Sequence, residues 1–247
     1  MTRTLEGRTI VVTRPRREAG ELARLLEARG ARVLAAPAIE LLPADDEELA
    51  RAVVGLAEGR FAWLVVTSAA GVRALVDAGL DQVEAKIAAV GEGTASALRL
   101  HGLDPALVPS SYTTEALGRA FPAGRGEVLL ARADIAPDGL EEALEAKGWT
   151  TVRLDAYRTE LSGDLPVDVR RALDGGRVDA ITFTSASTVR GFVAAAGPIR
   201  GPEVVCIGPV TAEEARAAGL AVDAVANPHT IEGLVAALER VLSAPEE

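Results

Sequence analysis

Asp179–Phe192, DAITFTSASTVRGF, is the stretch from which the fold can be read. Ala180–Phe183 is a short apolar run with the length and character of a buried strand. Thr184, Ser185, Ser187 and Thr188 follow at once, and Val189, Arg190, Gly191 and Phe192 open a helical pattern. A strand that ends in hydroxyls and turns into a helix has a physical use. The helix N-terminus carries unpaired backbone N–H groups and a partial positive charge. Hydroxyls there cap the helix or meet an anion. In a parallel α/β sheet this is the carboxyl edge, where ligands bind.

The stretch occurs twice. Trp63–Leu75, WLVVTSAAGVRAL, repeats the strand, the Thr-Ser-Ala and the Val-Arg pair, at an offset of 117 residues (184 − 67). The offset persists without a gap. Gly91 and Thr94-Ala95 match Gly208 and Thr211-Ala212, and Gly102-Leu103 matches Gly219-Leu220. Thr113, Glu115 and Leu117 match Thr230, Glu232 and Leu234. A period this long is that of a duplicated domain rather than a solenoid.

A chain of 247 residues has room for two such domains. With 49% hydrophobic but only 3% aromatic residues, their cores must be built from Ala, Val and Leu. A net charge of −10 argues against general nucleic-acid binding. No apolar run is long enough to span a bilayer. The opening MTRTLEGRTIVVTRP has no signal-peptide core, so a cytoplasmic protein is expected. The one cysteine, Cys206, sits in the apolar run Val204–Ile207 and reads as a buried structural thiol. His101 and His229 lack metal-site spacing, and His101 reads as a surface residue before a helix-ending glycine. Neither GxGxxG after a strand nor GxxxxGK[ST] occurs. A structural zinc or a haem is therefore not expected, nor a nucleotide cofactor held by those motifs.

Along the chain, strands and helices alternate. Arg8–Thr13, a helix over Glu18–Arg29 and Arg32–Ala36 form a first βαβ unit. Pro37–Pro43, two prolines framing AIELL, reads as a linker. A helix over Asp45–Glu58, with Asp46 as its cap, precedes the strand Phe61–Val66 and a helix through Ala78. Ile87–Val90, the helix Ala95–His101, a short strand at Leu107-Val108 and a helix over Glu115–Phe121 follow. Glu127–Ala131, the helix Gly139–Lys147 and the strand Thr151–Ala156 make a second βαβ unit, left through Tyr157-Arg158-Thr159. Leu161–Pro166 reads as a second linker. After it come the helix Pro166–Leu173, the strand Ala180–Phe183, the helix Thr188–Ala196 and the strand Val204–Ile207. The helix Thr211–Ala218, the strand Val222–Val225, the helix Ile231–Val241 and an acidic tail, Ser243–Glu247, complete the chain. This alternation means parallel sheets covered on both faces, five strands to each duplicate.

An ordered set of short motifs then carries a resemblance over essentially the whole chain. VVTRP (Val11–Pro15), VTSAAGV (Val66–Val72), AVGEGTA (Ala89–Ala95), LLARAD (Leu129–Asp134) and DAYRTE (Asp155–Glu160) form its first part. FTSASTV (Phe183–Val189), CIGPVTA (Cys206–Ala212) and NPHTIEGLV (Asn227–Val235) form the second. With these the chain resembles the uroporphyrinogen-III synthase family. The resemblance implies an α/β fold of two similar doubly wound parallel-sheet domains in flavodoxin-like order, joined by a two-stranded linker, with the active site in the cleft between them. It implies a discontinuous domain, residues 1–36 plus 163–247, and a second over 40–160, with linkers near 37–43 and 158–166. The implied activity is that of a hydro-lyase. Hydroxymethylbilane, a linear tetrapyrrole with eight carboxylates, loses its terminal hydroxyl as water, inverts its last ring through a spiro intermediate and closes to uroporphyrinogen III. No cofactor or metal is implied, no nucleic acid or membrane is a partner, and a monomer is expected.

The candidate residues follow from the same positions. The resemblance places the family's proposed acid on Tyr157, one of only two tyrosines. An unperturbed phenol, with a pKa of about 10, remains a proton donor at neutral pH. The alternative is a tyrosine packing a domain edge. Ser68 and Ser185 follow their strands at matched positions, as Thr94 and Thr211 do after Gly91 and Gly208; substrate binding and helix capping are both open to the serines. Thr230 is either a cleft residue or the cap of the last helix. Arg14, held extended by Pro15, is expected to meet a carboxylate. Arg132, with Arg158 and Arg190 as lesser candidates, could add charge-assisted bonds at strand ends. Arg190 also reads as a solvated helix residue. The runner-up function is a non-catalytic two-domain small-molecule binding protein. The missing export signal and the scarcity of aromatics weigh against it. A degenerate regulatory scaffold is a third reading, opposed by the intact hydroxyls and Tyr157.

Overall fold

In the computed structural model, which describes residues 4–243, the chain divides into two compact units. One is Met1–Glu40 with Glu160–Glu247, and the other is Leu41–Thr159. The first half of the chain runs β1 (Thr9–Val12), α1 (Ala19–Glu27), β2 (Arg32–Ala35), β3 (Ile39–Pro43), α2 (Asp46–Ala57), β4 (Phe61–Val66), α3 (Ala69–Asp77), β5 (Lys86–Ala89), α4 (Glu92–Arg99) and α5 (Thr114–Ala120). The second runs β6 (Glu127–Ala133), α6 (Gly139–Glu145), β7 (Thr150–Leu161), α7 (Val167–Asp174), β8 (Ala180–Phe183), α8 (Ala186–Ala196), β9 (Glu203–Cys206), α9 (Pro209–Ala217), β10 (Ala224–Val225) and α10 (Ile231–Ser243). The acidic tail beyond Ser243 lies outside the described residues.

The discontinuous unit holds a five-stranded sheet in the order β10-β9-β8-β1-β2, and every pairing in it is parallel. Read from β2, this is the 2-1-3-4-5 order of a flavodoxin-like sheet. Strand alternation explains the two faces. Val11, Ile181 and Phe183 point into one core with Val189, Phe192 and Ala212. Ile10, Val12 and Ala180 point into the other with Leu22, Leu26, Leu234 and Leu238.

The continuous unit has a sheet in the order β3-β7-β6-β4-β5. Its pairs β6–β7, β4–β6 and β4–β5 are parallel. Leu64 and Val66 meet α2, α3 and α4 through Leu56, Val72, Leu75 and Leu98. Trp63 and Val65 meet α5 and α6 through Leu117, Leu140 and Leu144. The duplication is visible in the pairing itself. A lone bridge joins Ala88 to Leu107, and its counterpart one repeat on (88 + 117 and 107 + 117) is the pairing of Val205 with Ala224 in β9–β10.

Parts of the segments expected to be linkers are strands, while residues 162–166 are not. AIELL contributes β3, and β7 runs for 12 residues instead of stopping at Ala156. Its sequence, TTVRLDAYRTEL, mixes charges with apolar residues because much of it is only half-buried, so no clean apolar run marks its true end. Tyr157 therefore sits inside a strand. The short strand expected at Leu107-Val108 is reduced to the single bridge, and Val222–Val225 shrinks to Ala224–Val225. The cap of α2 is Asp45, whose side chain accepts from Glu47 N and Glu48 N, rather than Asp46. One glycine is fixed by close approach. A Cβ on Gly191 of α8 would stand 2.0 Å from the Ala38 carbonyl oxygen.

Candidate functional site

Each unit has its own carboxyl edge. In the discontinuous unit β8 hands over to α8 at Ser185. This residue is extended (φ −162°) and its hydroxyl accepts from Thr188 N at 3.2 Å, while Thr188 Oγ1 accepts from Ser185 N at 3.2 Å. This reciprocal cap satisfies the third residue's N–H and does not engage the first two N–H groups of α8. β9 hands over to α9 at Gly208, which offers no side-chain cap, and Pro209 at the first position has no N–H to satisfy. Thr230 Oγ1 accepts from Gly233 N at 3.1 Å, so Thr230 caps α10.

After β1, Thr13 is fully buried and donates to the Thr182 carbonyl at 2.7 Å, which locks the strand end. Arg14 comes next. Its Nη2 lies 3.3 Å from Glu18 Oε2, and its Nε is buried without a hydrogen-bond partner among the described residues. Arg14 is thus only partly committed to the protein. A cavity of about 300 Å³ beside this edge is lined by Arg16, Pro37, Glu40, Glu160, Ser162 and Asp164 among others. Three carboxylates against one guanidinium make it a poor seat for an anion.

In the continuous unit β4 hands over to α3 at Ser68, extended at φ −158°, whose hydroxyl accepts from Gly71 N at 3.0 Å. β5 hands over to α4 at Gly91, again with no side-chain cap. Gly91 has a reason to lack a side chain, since a Cβ there would lie 2.8 Å from Cβ of Tyr112. Tyr112, the other tyrosine, thus lies over this helix start. Thr94 and Thr211, paired by the repeat, are each 5% exposed. They are the third residues of α4 and α9, in the first turns, with their side chains buried.

Arg132, expected to meet a substrate carboxylate, is 1% exposed and ion-paired to Glu141 of α6. It faces the core on the α5–α6 side because it continues the alternation of Val128 and Leu130. An arginine there can be buried only if a carboxylate comes with it, so Arg132 is withdrawn from the substrate contacts. Arg190 forms an ion pair with Glu214 at 2.9 Å, and Arg158 is exposed. Tyr157 is half-buried, packed against the core on the α2–α4 side.

Sequence reasoning missed Arg153. Its Nε donates to Asp155 at 2.9 Å, and Nη1 donates to the Ala136 carbonyl at 3.0 Å and to Asp138 at 2.8 Å. Nη2 donates to the carbonyls of Ala133 and Asp134 at 3.1 and 2.9 Å. The hydrogen bond to Asp155 raises the Arg153 pKa above its ordinary value. Five acceptors in one fork are what arginine geometry allows and lysine geometry does not. The only sequence signal was a charge in a strand otherwise half apolar. Burial pushes the Cys206 thiol up to about 12, which makes it unreactive at neutral pH.

Among the described residues no three of His, Cys, Asp and Glu converge as a metal site requires, and no helix is long and apolar enough to cross a membrane. What the two edges can do chemically is bind anions through helix N-termini and Arg14, and donate a proton from a phenol.

Comparison with known proteins points to one family. Residues 20–236 match the family model described as uroporphyrinogen-III synthase HemD. A uroporphyrinogen-III synthase from Synechococcus elongatus is 30% identical over 96% of this chain and 96% of its own length. A porphyrin biosynthesis protein HemD from Ruminiclostridium josui is 34% identical over 95% of this chain, which spans 49% of that longer protein. Among solved structures, a mutant uroporphyrinogen III synthase from Thermus thermophilus aligns at a TM-score of 0.70 with 25% identity, covering 95% of this chain and 98% of the other. The Helicobacter pylori uroporphyrinogen-III synthetase, at 21% identity and a TM-score of 0.63, shares the fold.

Proposed function

The chain belongs to the uroporphyrinogen-III synthase family, and on that premise we propose that it cyclises hydroxymethylbilane with loss of water and inversion of ring D. The observation that carries the reading is the family match across residues 20–236. The reaction needs two kinds of help. The substrate's carboxylates must be held so that the chain of rings folds back on itself, and the departing hydroxyl must be protonated.

The acidic net charge of −10 does not oppose the first task, because charge in a site is local. The first-turn N–H groups of α3 and α4 in one unit, and of α8 and α9 in the other, each offer an anion seat. In this reading Ser68 and Ser185 act by fixing the starts of α3 and α8, Thr230 by fixing that of α10, Thr94 and Thr211 by packing in the first turns of α4 and α9, and Arg14 by adding a charge-assisted bond. Tyr157 supplies the second task. Its phenol donates a proton to the terminal hydroxyl, which leaves as water; the cation that remains is stabilised by nearby carboxylates, including the substrate's own. The macrocycle then closes through the spiro intermediate. The protein works as a cytoplasmic monomer, with no cofactor and no nucleic-acid or membrane partner.

The test is a coupled assay. Freshly made hydroxymethylbilane is supplied to the purified protein, the products are oxidised, and the uroporphyrin isomers are separated. Unaided, the bilane closes to the type I isomer. A shift to type III is expected. Type I alone from a folded, monodisperse sample would contradict the proposal and bring the binding-protein reading forward.

A further inference from the structure

β6 and β7 fall out of register at one place. Leu130 faces Arg153, Ala131 faces Leu154 and Arg132 faces Asp155, but Ala133 faces Tyr157. Ala156 is the additional residue of a bulge. Its effect is on the face that Tyr157 occupies. By strict alternation Tyr157 would share the face of Arg153 and Asp155. Leu154 and Ala156 belong to the core on the opposite face, and it is that core that Tyr157 packs against. The bulge therefore carries the phenol from one side of the sheet to the other, a recognised use of bulges near functional sites.

A bulge gives up ladder bonds and must be held by something else. Asp134 brackets it. Asp134 N donates to the Tyr157 carbonyl at 3.2 Å, and Thr159 N donates to Asp134 Oδ1 at 3.0 Å. The segment carrying Asp134 has no regular pairing of its own beyond Ala133. It is tied down by Arg153, whose guanidinium reaches the carbonyls of Ala133, Asp134 and Ala136 and the carboxylates of Asp138 and Asp155. Glu141 Oε1 stands 3.6 Å from the same guanidinium, and its other oxygen, Oε2, pairs with the buried Arg132, which anchors the fork to α6.

We propose that Arg153 is a positioning residue that holds the Ala133–Asp138 turn, and through Asp134 the bulge, so that Tyr157 stays on the α2–α4 face of its sheet. The geometric half stands on the contacts alone; the consequence for turnover rests on Tyr157 being the proton donor.

Two readouts separate these halves. With 3-fluorotyrosine incorporated, the two tyrosines give two ¹⁹F signals, and Tyr157→Phe identifies one of them. Arg153→Gln is expected to move or split the Tyr157 signal and to leave that of Tyr112 in place. An unmoved Tyr157 signal in a folded Arg153→Gln protein overturns the proposal. In turnover, Arg153→Gln is expected to lower kcat about tenfold, less than the loss of a general acid outright, with KM changed less than about twofold. In the Tyr157→Phe background the same substitution is expected to leave kcat nearly unchanged, although both backgrounds lose the same thermal stability. An equal loss of kcat in both backgrounds means that Arg153 does not act through Tyr157. A wild-type kcat for Tyr157→Phe itself removes the proton-donor reading, and the fluorine signals then decide the positioning claim by themselves. Should Arg153→Gln fail to fold, Asp134→Ala removes the bracket at Thr159 N and is expected to give the same signal shift and the same coupling.

Discussion

At the end of β1 the chain runs Thr13-Arg14-Pro15, and at the end of β6 it runs Arg132-Ala133-Asp134. Both strands lie inside five-stranded sheets, β1 between β8 and β2 and β6 between β4 and β7, and both have a βα turn ahead of them. Arg14 comes after the buried Thr13 and keeps part of its guanidinium unspent. Arg132 lies one residue before its strand ends, so alternation turns it inward onto Glu141. The neighbouring strands diverge as well. β2 stays in register with β1 through Ala35 and ends, while β7 bulges at Ala156 and runs on to Leu161. The duplication thus preserved a scaffold of helix starts in both units and put Arg14 and Arg132 at equivalent positions, since Ile10 pairs with Ala180 and Val128 with Trp63, one repeat apart; β1 ends before its arginine, whereas β6 runs on past Arg132, which pairs with Glu141.

The contrast between the arginines gives the largest expected effect. Glu141→Leu leaves Arg132 charged, buried and unpaired, and is expected to cost about 3–5 kcal/mol in urea denaturation. Adding Arg132→Met should restore most of that loss. Arg14→Gln, which breaks only a half-buried pair, is expected to cost under about 1 kcal/mol while raising KM. Equal losses for Glu141→Leu and Arg14→Gln would remove the distinction between them.

A second contrast lies in the helices after the repeated strands. Gly191 of α8 and Ala74 of α3 occupy matched positions (191 − 74 gives the offset of 117). The Ala38 carbonyl fills the space a side chain would need at Gly191. Gly191→Ala is expected to destabilise by about 1–3 kcal/mol through overpacking, although alanine is the better helix former. Ala74→Gly should cost about 1 kcal/mol by propensity alone. A stabilised Gly191→Ala protein, measured by thermal melting, would refute the close approach.

The capping serines are the smallest case. Ser68→Ala and Ser185→Ala are each expected to lose about 1 kcal/mol, with Ser185 the larger because its cap is reciprocal. Turnover should fall only partially in either, since the helix N–H groups remain. Complete inactivity in a folded Ser68→Ala protein would mean that the hydroxyl itself does chemistry.

These contrasts also mark what the sequence could show. Ala180–Phe183 and Phe61–Val66 were legible to the residue because a strand buried on both faces leaves an unbroken apolar run. The serines were legible as helix starts, and the structure finds their hydroxyls engaged as caps. β3 and the far end of β7 were not legible, because strands that are half-buried and rich in charge look like linkers. Arg132 was misjudged for want of one fact, the length of β6. Strand ends are poorly marked in sequence, and a two-residue extension decides whether an arginine faces a core or the rim. The fork of Arg153 depends on acceptors from Ala133 to Asp155, most of them backbone carbonyls, which no side-chain pattern records.

The most direct measurement is the rate of type III formation by Tyr157→Phe, compared with the wild-type protein in the same isomer assay. The expected result is a fall in kcat of about 100-fold, the lower end of what a positioned general acid contributes, with type III still formed because the helix starts that seat the substrate's carboxylates are untouched. A wild-type rate from a folded Tyr157→Phe protein would contradict the account, because the bulge in β7 would then present a side chain that the reaction does not use.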